Sequence, residues 1–355
     1  MVDTFMLKYR LGIQQRRTVY SAVNNLVSET GMTKFLYADK DHSASKYKLY
    51  RTKAFKNDGI KEILIEDCFY PGNTCSFIKL TCKPAQVLHR GDEYALSSSE
   101  EYEQVAGLVN SFITKLNQHM GACPLPLLDE WRVGRMDYAF QFATEEYGLY
   151  LMFLRKGCSY KEDRYTDSVY IDNSKCTVNF YDKTAERGMV DNCHVMRFEI
   201  QCREDYLYKM LDNERIGSLA LHELWDVNLA LSIVTKRIGK LVGYGDFYSL
   251  EAAESVLQKA CRINENEKNA LRLLLRLSLY PSIRRESQWD LFAVHNGNTD
   301  TGGKTRERME RILKRLGMNQ FAIPLRRRVE RLKNPARVIR ESLETSDEDN
   351  YGNIA

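Results

Sequence analysis

Three separated segments of the chain, Arg135 to Phe142, Thr177 to Glu186 and His194 to Arg203, mix apolar residues with residues that can do chemistry. Successive side chains of a strand point to opposite faces. Read as strands, the first puts Met136, Tyr138, Phe140 and Phe142 on one face and Arg135, Asp137, Ala139 and Gln141 on the other. The third puts Met196, Phe198, Ile200 and Cys202 against a core, with Arg197, Glu199, Gln201 and Arg203 opposite. The second aligns Tyr181 with Lys183. Paired in one sheet, their polar face gathers two carboxylates, a tyrosine, a lysine and arginines. Such a set can bind a divalent cation, supply a nucleophile and hold a phosphate.

Each role has an ordinary alternative. Asp137 and Glu199 are the candidate metal ligands, because Mg²⁺ (or Mn²⁺) takes oxygen donors and often needs only one or two carboxylates beside phosphate and water. Equally, each carboxylate can simply pair with a neighbouring arginine such as Arg135 or Arg197. A tyrosine, with a pKa of about 10, attacks poorly unless its phenolate is stabilised. Lys183 lies on the same face, about 6.6 Å away by strand rise. The chain has 21 tyrosines, so an arbitrary one packs or makes a surface hydrogen bond. Arg135, Arg197 and Arg203 suit backbone phosphates. Lys79 and Lys83 share one face of a strand over 76–83 and either meet phosphate or are merely solvated.

The elements that must position these groups are read from periodicity and turn chemistry. Residues 2–11, Lys46–Thr52, Ile60–Asp67, Cys75–Cys82, 132–142, Ser168–Ile171, Thr177–Tyr181 and Val195–Cys202 read as strands. Thr18–Ser28 and Ser98–Gly121 have helical spacing, the second with Ser98 and Ser99 as caps. The segment near Glu145–Phe153 reads as helix or strand. These predict an α+β fold: a mixed or antiparallel sheet with helices on one face and a polar catalytic face on the other. After Glu204 the spacing is helical over Asp205–Leu211, Ser218–Leu241, Leu250–Ala260, Glu265–Leu279 and Arg306–Leu316, which predicts a smaller all-helical domain. The expected organisation is 1–205 catalytic, 206–320 helical and DNA-binding, and 321–355 a basic segment with an acidic, disordered tail.

The 355 residues carry a net charge of only +4, so bulk charge does not imply nucleic acid. Its distribution says more. Lys304 to Arg340 holds 13 Lys and Arg against 3 Glu, including Arg326, Arg327 and Arg328. Such a block suits phosphate contacts, or a solvated helix face. Nine cysteines without a Cys-x-x-Cys pair read as free thiols in a reducing cytoplasm. No leader and no membrane span are expected.

The order Arg135-Met-Asp137, Tyr181-Asp-Lys-Thr-Ala-Glu186 and Met196-Arg-Phe-Glu-Ile200 resembles the rolling-circle replication initiators of filamentous phages, the gene II / gene X replication protein family. It is similar, more distantly, to plasmid and transposon replication-initiation factors. The opening Met1-Val-Asp-Thr-Phe-Met-Leu7 and the stretch Phe77 to His89 agree with the phage family. The resemblance covers about 1–215. It implies an endonuclease that nicks one strand of a double-strand origin by tyrosine attack, leaving a 3′-OH. The implied partners are origin DNA, double-stranded and nicked, with a host helicase and DNA polymerase. The phage pattern implies Tyr181 as nucleophile; the plasmid pattern implies the upstream Tyr170. The best-known rolling-circle nucleases hold metal with a His-hydrophobic-His pair, which this chain lacks; His194 is the histidine nearest a motif. A relaxase-like transfer nickase of an integrative element, or a non-catalytic origin-binding regulator, are the alternatives.

Overall fold

The computed structural model describes residues 1–30, 36–37, 47–70, 73–90, 92, 94–158, 167–186, 193–295 and 302–351. In chain order the strands are β1 (Val2–Leu11), β2 (Leu36–Tyr37), β3 (Tyr47–Thr52), β4 (Ile60–Tyr70), β5 (Asn73–Cys82), β6 (Arg132–Thr144), β7 (Ser168–Asp172), β8 (Cys176–Asp182), β9 (His194–Arg203), β10 (Asp246–Tyr248), β11 (Met318–Ala322) and β12 (Arg331–Leu332). The helices are α1 (Ile13–Glu29), α2 (Ala85–Leu88), α3 (Tyr102–Asn117), α4 (Tyr147–Gly157), α5 (Lys183–Glu186), α6 (Glu204–Asp212), α7 (Leu221–Leu224), α8 (Val227–Val242), α9 (Leu250–Lys259), α10 (Glu265–Ser278), α11 (Arg285–His295), α12 (Gly302–Leu316) and α13 (Pro335–Tyr351). The first nine strands form a sheet in the order β2-β3-β4-β5-β1-β6-β9-β8-β7. The fold is α+β, as the alternation predicts.

The chain's contacts divide it into two compact units, Met1–Ala139 with Asn173–Thr177 and Ile200–Ala230, and Phe140–Asp172 with Val178–Glu199 and Leu231–Ala355. In the first unit, β1 pairs antiparallel with β5 and β6, and β4 with β3 and β5. One face of these strands is apolar, with Phe5, Leu7, Ile63, Ile65, Ile78 and Leu80 buried. The buried stripes of α1 (Val19, Val23, Leu26) and α3 (Val109, Phe112, Leu116) follow the helical period and supply the covering layer. The hydroxyl of Tyr138, from the apolar face of β6, donates to the Leu224 carbonyl at 2.8 Å, so its burial leaves no polar group unpaired. The predicted serine caps of α3 are not used. The helix starts at Tyr102, and the Ser98 amide instead donates to Glu101 Oε2.

In the second unit, Phe180 and Phe142 both pack on Phe198, at ring-centroid distances of 4.8 and 5.7 Å, and Phe142 meets Tyr150 of α4. The segment near Glu145 is thus a helix, α4. The all-helical expectation beyond residue 205 is corrected. That region is mostly helical but also holds a three-stranded sheet in the order β11-β10-β12, parallel between β10 and β11. Those strands span only two to five residues, and β11 is buried at every position, so neither length nor alternation marks them. Gly317 ends α12 with a φ of 64°, the left-handed conformation expected of a terminating glycine. The acidic tail, expected to be disordered, is helical as far as Tyr351, where α13 ends. No helix among the described residues is long and apolar enough to cross a membrane.

Candidate functional site

In the first unit, β6 presents Arg135 and Asp137 two residues apart on one face, as alternation requires. Arg135 Nε and Nη2 donate to the two carboxylate oxygens of Asp137 at 2.8 and 2.5 Å. With its amide turned to accept, Gln201 on β9 takes a further bond from Arg135 Nη2 at 2.6 Å. Asp137 is 1% exposed. Burial holds its carboxyl above the usual carboxylate range; the Arg135 guanidinium opposes that rise, and Asp3 of β1 adds to it. Asp3 itself is buried, accepts from the Thr4 hydroxyl at 2.8 Å, and lies 3.6 Å from Lys83 Nζ. The only signal for Asp3 in the sequence is an acid at the start of the opening strand, next to the buried Val2 and Phe5.

In the second unit, the Tyr181 hydroxyl on β8 faces Glu199 on β9, with Oη 3.4 Å from Oε2. Both side chains are half-buried. Lys183 Nζ stands 5.7 Å from the centroid of the Tyr181 ring. The lysine does not continue the strand, which corrects the two-residue alignment. Asp182 accepts from the amides of Thr184 and Ala185 at 3.0 and 3.2 Å, and this cap ends β8 and starts the single-turn α5 at Lys183. Lys183 pairs there with Glu186. The other Asp182 oxygen meets His194 Nδ1 at 2.6 Å, and the His194 ring packs against Tyr147, tilted by 34° at a centroid distance of 3.9 Å. His194, the histidine nearest a motif, is thus held by an aspartate and an aromatic ring. Tyr170 is half-buried on β7, the edge strand of the sheet order.

The expected metal pair is not assembled as a pair within one unit. Asp137 belongs to the first and Glu199 to the second. Among the described residues no three His, Cys, Asp or Glu side chains converge as metal ligands. Arg135 donates to both carboxylate oxygens of Asp137, so a cation there would share those oxygens with the guanidinium or displace it.

The arginines expected on phosphate are also engaged within the protein. Arg197 is 1% exposed, and its Nε and Nη2 donate to Gln141 Oε1 at 3.0 and 2.6 Å. A guanidinium so buried does not present itself to a backbone phosphate, which corrects that assignment. Arg203 donates to the Asn173 carbonyl and to Thr177 Oγ1, at 2.6 and 2.9 Å. Lys79 is 2.6 Å from Glu66, and Lys83 is the lysine beside Asp3. Within each strand, alternation separates the polar from the apolar positions, while Lys83 lies just beyond the end of β5. Alternation carries no information on which neighbour each would choose.

No family model matches the chain, and no curated protein matches it. Among solved structures it is similar to the rolling circle replication initiator protein from Geobacillus stearothermophilus. The identity is 13%, with a TM-score of 0.27, over 61% of this chain and 79% of that one. So loose a likeness carries no argument, and the site stands on its own geometry.

The basic stretch from Lys304 to Arg340 is less free than its composition suggests. Arg306 pairs with Glu286 and Glu310, Arg308 with Glu267, and Arg331 and Arg337 with the buried Asp246. Arg326, Arg327 and Arg328 differ. They are exposed in the turn between β11 and β12, beside Leu325 at 65% exposure, with no ion pair to another described residue.

Proposed function

We propose that this chain nicks one strand of origin DNA through Tyr181 and so initiates rolling-circle replication. The observation that carries the reading is the Tyr181 hydroxyl 3.4 Å from the Glu199 carboxylate with a lysine beside the ring. The motif resemblance to the phage initiators points to the same tyrosine. In this reading Glu199 is the base for the nucleophile rather than a metal ligand paired with Asp137. Apo hydrogen bonds at catalytic sites are often long and tighten when substrate binds. Glu199 takes the phenolic proton as Tyr181 Oη attacks the scissile phosphorus. A bond forms from Oη to phosphorus and the bond from phosphorus to O3′ breaks. O3′ leaves with the electron pair and takes up a proton, giving a 3′-OH and a 5′-phosphotyrosine. The ester keeps the bond energy, so the same site can rejoin the strand. Lys183 stabilises the developing phenolate.

The test is nicking of a supercoiled plasmid carrying the element's own origin, with and without a chelator. Wild-type chain should convert supercoiled to open-circular DNA bearing covalently attached protein. Restoration by Mg²⁺ or Mn²⁺ after chelation would mean that Asp137 exchanges Arg135 for a cation when DNA binds, and Asp137→Ala would then also abolish nicking. Cleavage that ignores the chelator removes the metal from the account and leaves the tyrosine. The bond between Arg135 and Asp137 favours a second reading, a non-catalytic origin-binding protein; it predicts DNA binding with no nick at all.

Origin binding falls to the exposed arginine turn. Phosphate contacts release counterions, each adding about 0.9 to the slope of log affinity against log salt on duplex DNA. Replacing Arg326, Arg327 and Arg328 with alanine should weaken origin and random duplex together and flatten the slope by up to roughly three units. Preference for the origin should survive, because base contacts carry it. Loss of preference with an unchanged slope would show that the turn reads bases.

A further inference from the structure

The turn Gly243-Tyr244-Gly245, between α8 and β10 in the second unit, is fixed from several sides. Gly243 has a φ of 83°, which favours glycine. Gly245 lies against the Met318 backbone so closely that a Cβ would sit 2.1 Å from its carbonyl carbon. Asn319 Nδ2 donates to the carbonyls of Val242 and Gly245, at 2.5 and 3.0 Å. Asn334 Nδ2 donates to those of Gly243 and Gly245, at 3.0 and 3.1 Å. Both asparagines and Asp246 are buried. The side chain that this framework delivers, Tyr244, is 58% exposed. Its ring rests on Gly239 of α8, where a Cβ would come within 2.2 Å of it. The ring thus packs on α8 by one side and leaves more than half of its surface to solvent.

Tyr244 borders a cavity of about 410 Å³, which Arg285 and, from α12, Arg311 and Lys314 also line. That volume lies within the range of small-ligand sites. Arg311 and Lys314 are three residues apart, hence on one face of the helix, and both are exposed. Lys314 has no ion pair among the described residues. Glu307 and Glu310 line the cavity as well, and Glu310 is paired with Arg285 and Arg306. A fixed ring beside exposed cations suits a single strand of nucleic acid, whose bases offer π-faces and whose backbone offers charge. We infer that Tyr244 is a stacking platform for one unpaired nucleobase, with Arg311 and Lys314 holding the adjoining phosphates. The inference rests on the proposed function only in taking DNA as the strand.

The test is fluorescence anisotropy of the full chain with labelled oligo(dT), oligo(rU) of equal length, and a short duplex. Tyr244→Ala should weaken oligo(dT) about tenfold and the duplex less than about twofold. Tyr244→Trp, which keeps a stacking face, should bind at least as well as wild type. Alanine at both Arg311 and Lys314 should lower the single-strand salt slope by up to about 1.4, at about 0.7 per phosphate. Unchanged oligo(dT) affinity in Tyr244→Ala, or equal loss for single strand and duplex, overturns the platform. A Tyr244-dependent preference for oligo(rU) overturns the assignment to DNA. Failure of the nicking assay with Tyr244-dependent binding intact would refute the proposed function and leave this inference standing.

Discussion

Tyr181→Phe should lower nicking by about a thousandfold or more and remove covalent DNA attachment altogether. The substitution keeps the ring over Lys183 and deletes only the hydroxyl, which the structure places 3.4 Å from Glu199. Affinity for intact origin DNA should stay within about twofold, since one hydroxyl contributes at most a modest hydrogen bond. Glu199→Gln keeps the shape but cannot take the phenolic proton, and should cost about a hundredfold or more in rate, the low end of general-base effects. Raising the pH should recover part of that loss, because hydroxide then competes for the proton. A nicking rate unchanged in Tyr181→Phe but lost in Tyr170→Phe would transfer the role to the edge strand.

Arg135→Ala should destabilise the fold by about 3 kcal/mol at neutral pH, read from chemical denaturation. Removing one partner of a buried ion pair leaves a charge stranded, at about 3 to 5 kcal/mol. The low end applies because the Arg135 side chain is 30% exposed while that of Asp137 is 1% exposed. The pH dependence has a definite sign. The folded-state pKa of Asp137 is already raised by burial, and Arg135 restrains it. A raised carboxyl contributes stability that is complete below its unfolded pKa and is lost as pH rises through the folded one. Without Arg135 the folded pKa rises further. The deficit of the variant should therefore be small in acid, grow as pH rises above the ordinary carboxylate range, and level off once Asp137 is ionised in the variant too. Adding Asp137→Asn should restore much of the loss, since position 137 then carries no charge to bury. A loss under about 1 kcal/mol at neutral pH would mean that the carboxylate is hydrated or protonated there.

The sheet and its loaded face were legible because strand alternation is a property of the chain alone. Met136, Tyr138, Phe198 and Ile200 are buried, and Arg135, Asp137, Glu199 and Gln201 lie on the opposite face of their strands, as the pattern requires. Partner choice was not legible. Whether Asp137 meets a cation or Arg135, and whether Glu199 meets Asp137 or Tyr181, depends on neighbours brought in from other strands. Lys183 was misplaced for a local reason. The Asp182 cap ends β8 just before Lys183, and Asp-Lys-Thr-Ala reads as easily as strand as it does as a helix start. Helix α11 and the three short strands escaped notice because α11 is only weakly amphipathic and β11 is wholly buried. The late segment holds thirteen basic residues, yet composition does not reveal that several of them are neutralised by acids elsewhere in the chain.

The central claim is that a particular tyrosine becomes joined to DNA. The direct measurement is to trap the covalent complex on a single-stranded origin oligonucleotide, digest protein and DNA, and map the modified peptide by mass spectrometry. The account predicts a nucleotide 5′-phosphate esterified to Tyr181 and a free 3′-OH on the released strand. An adduct on Tyr170 or any other residue, or cleavage with no adduct at all, would contradict it.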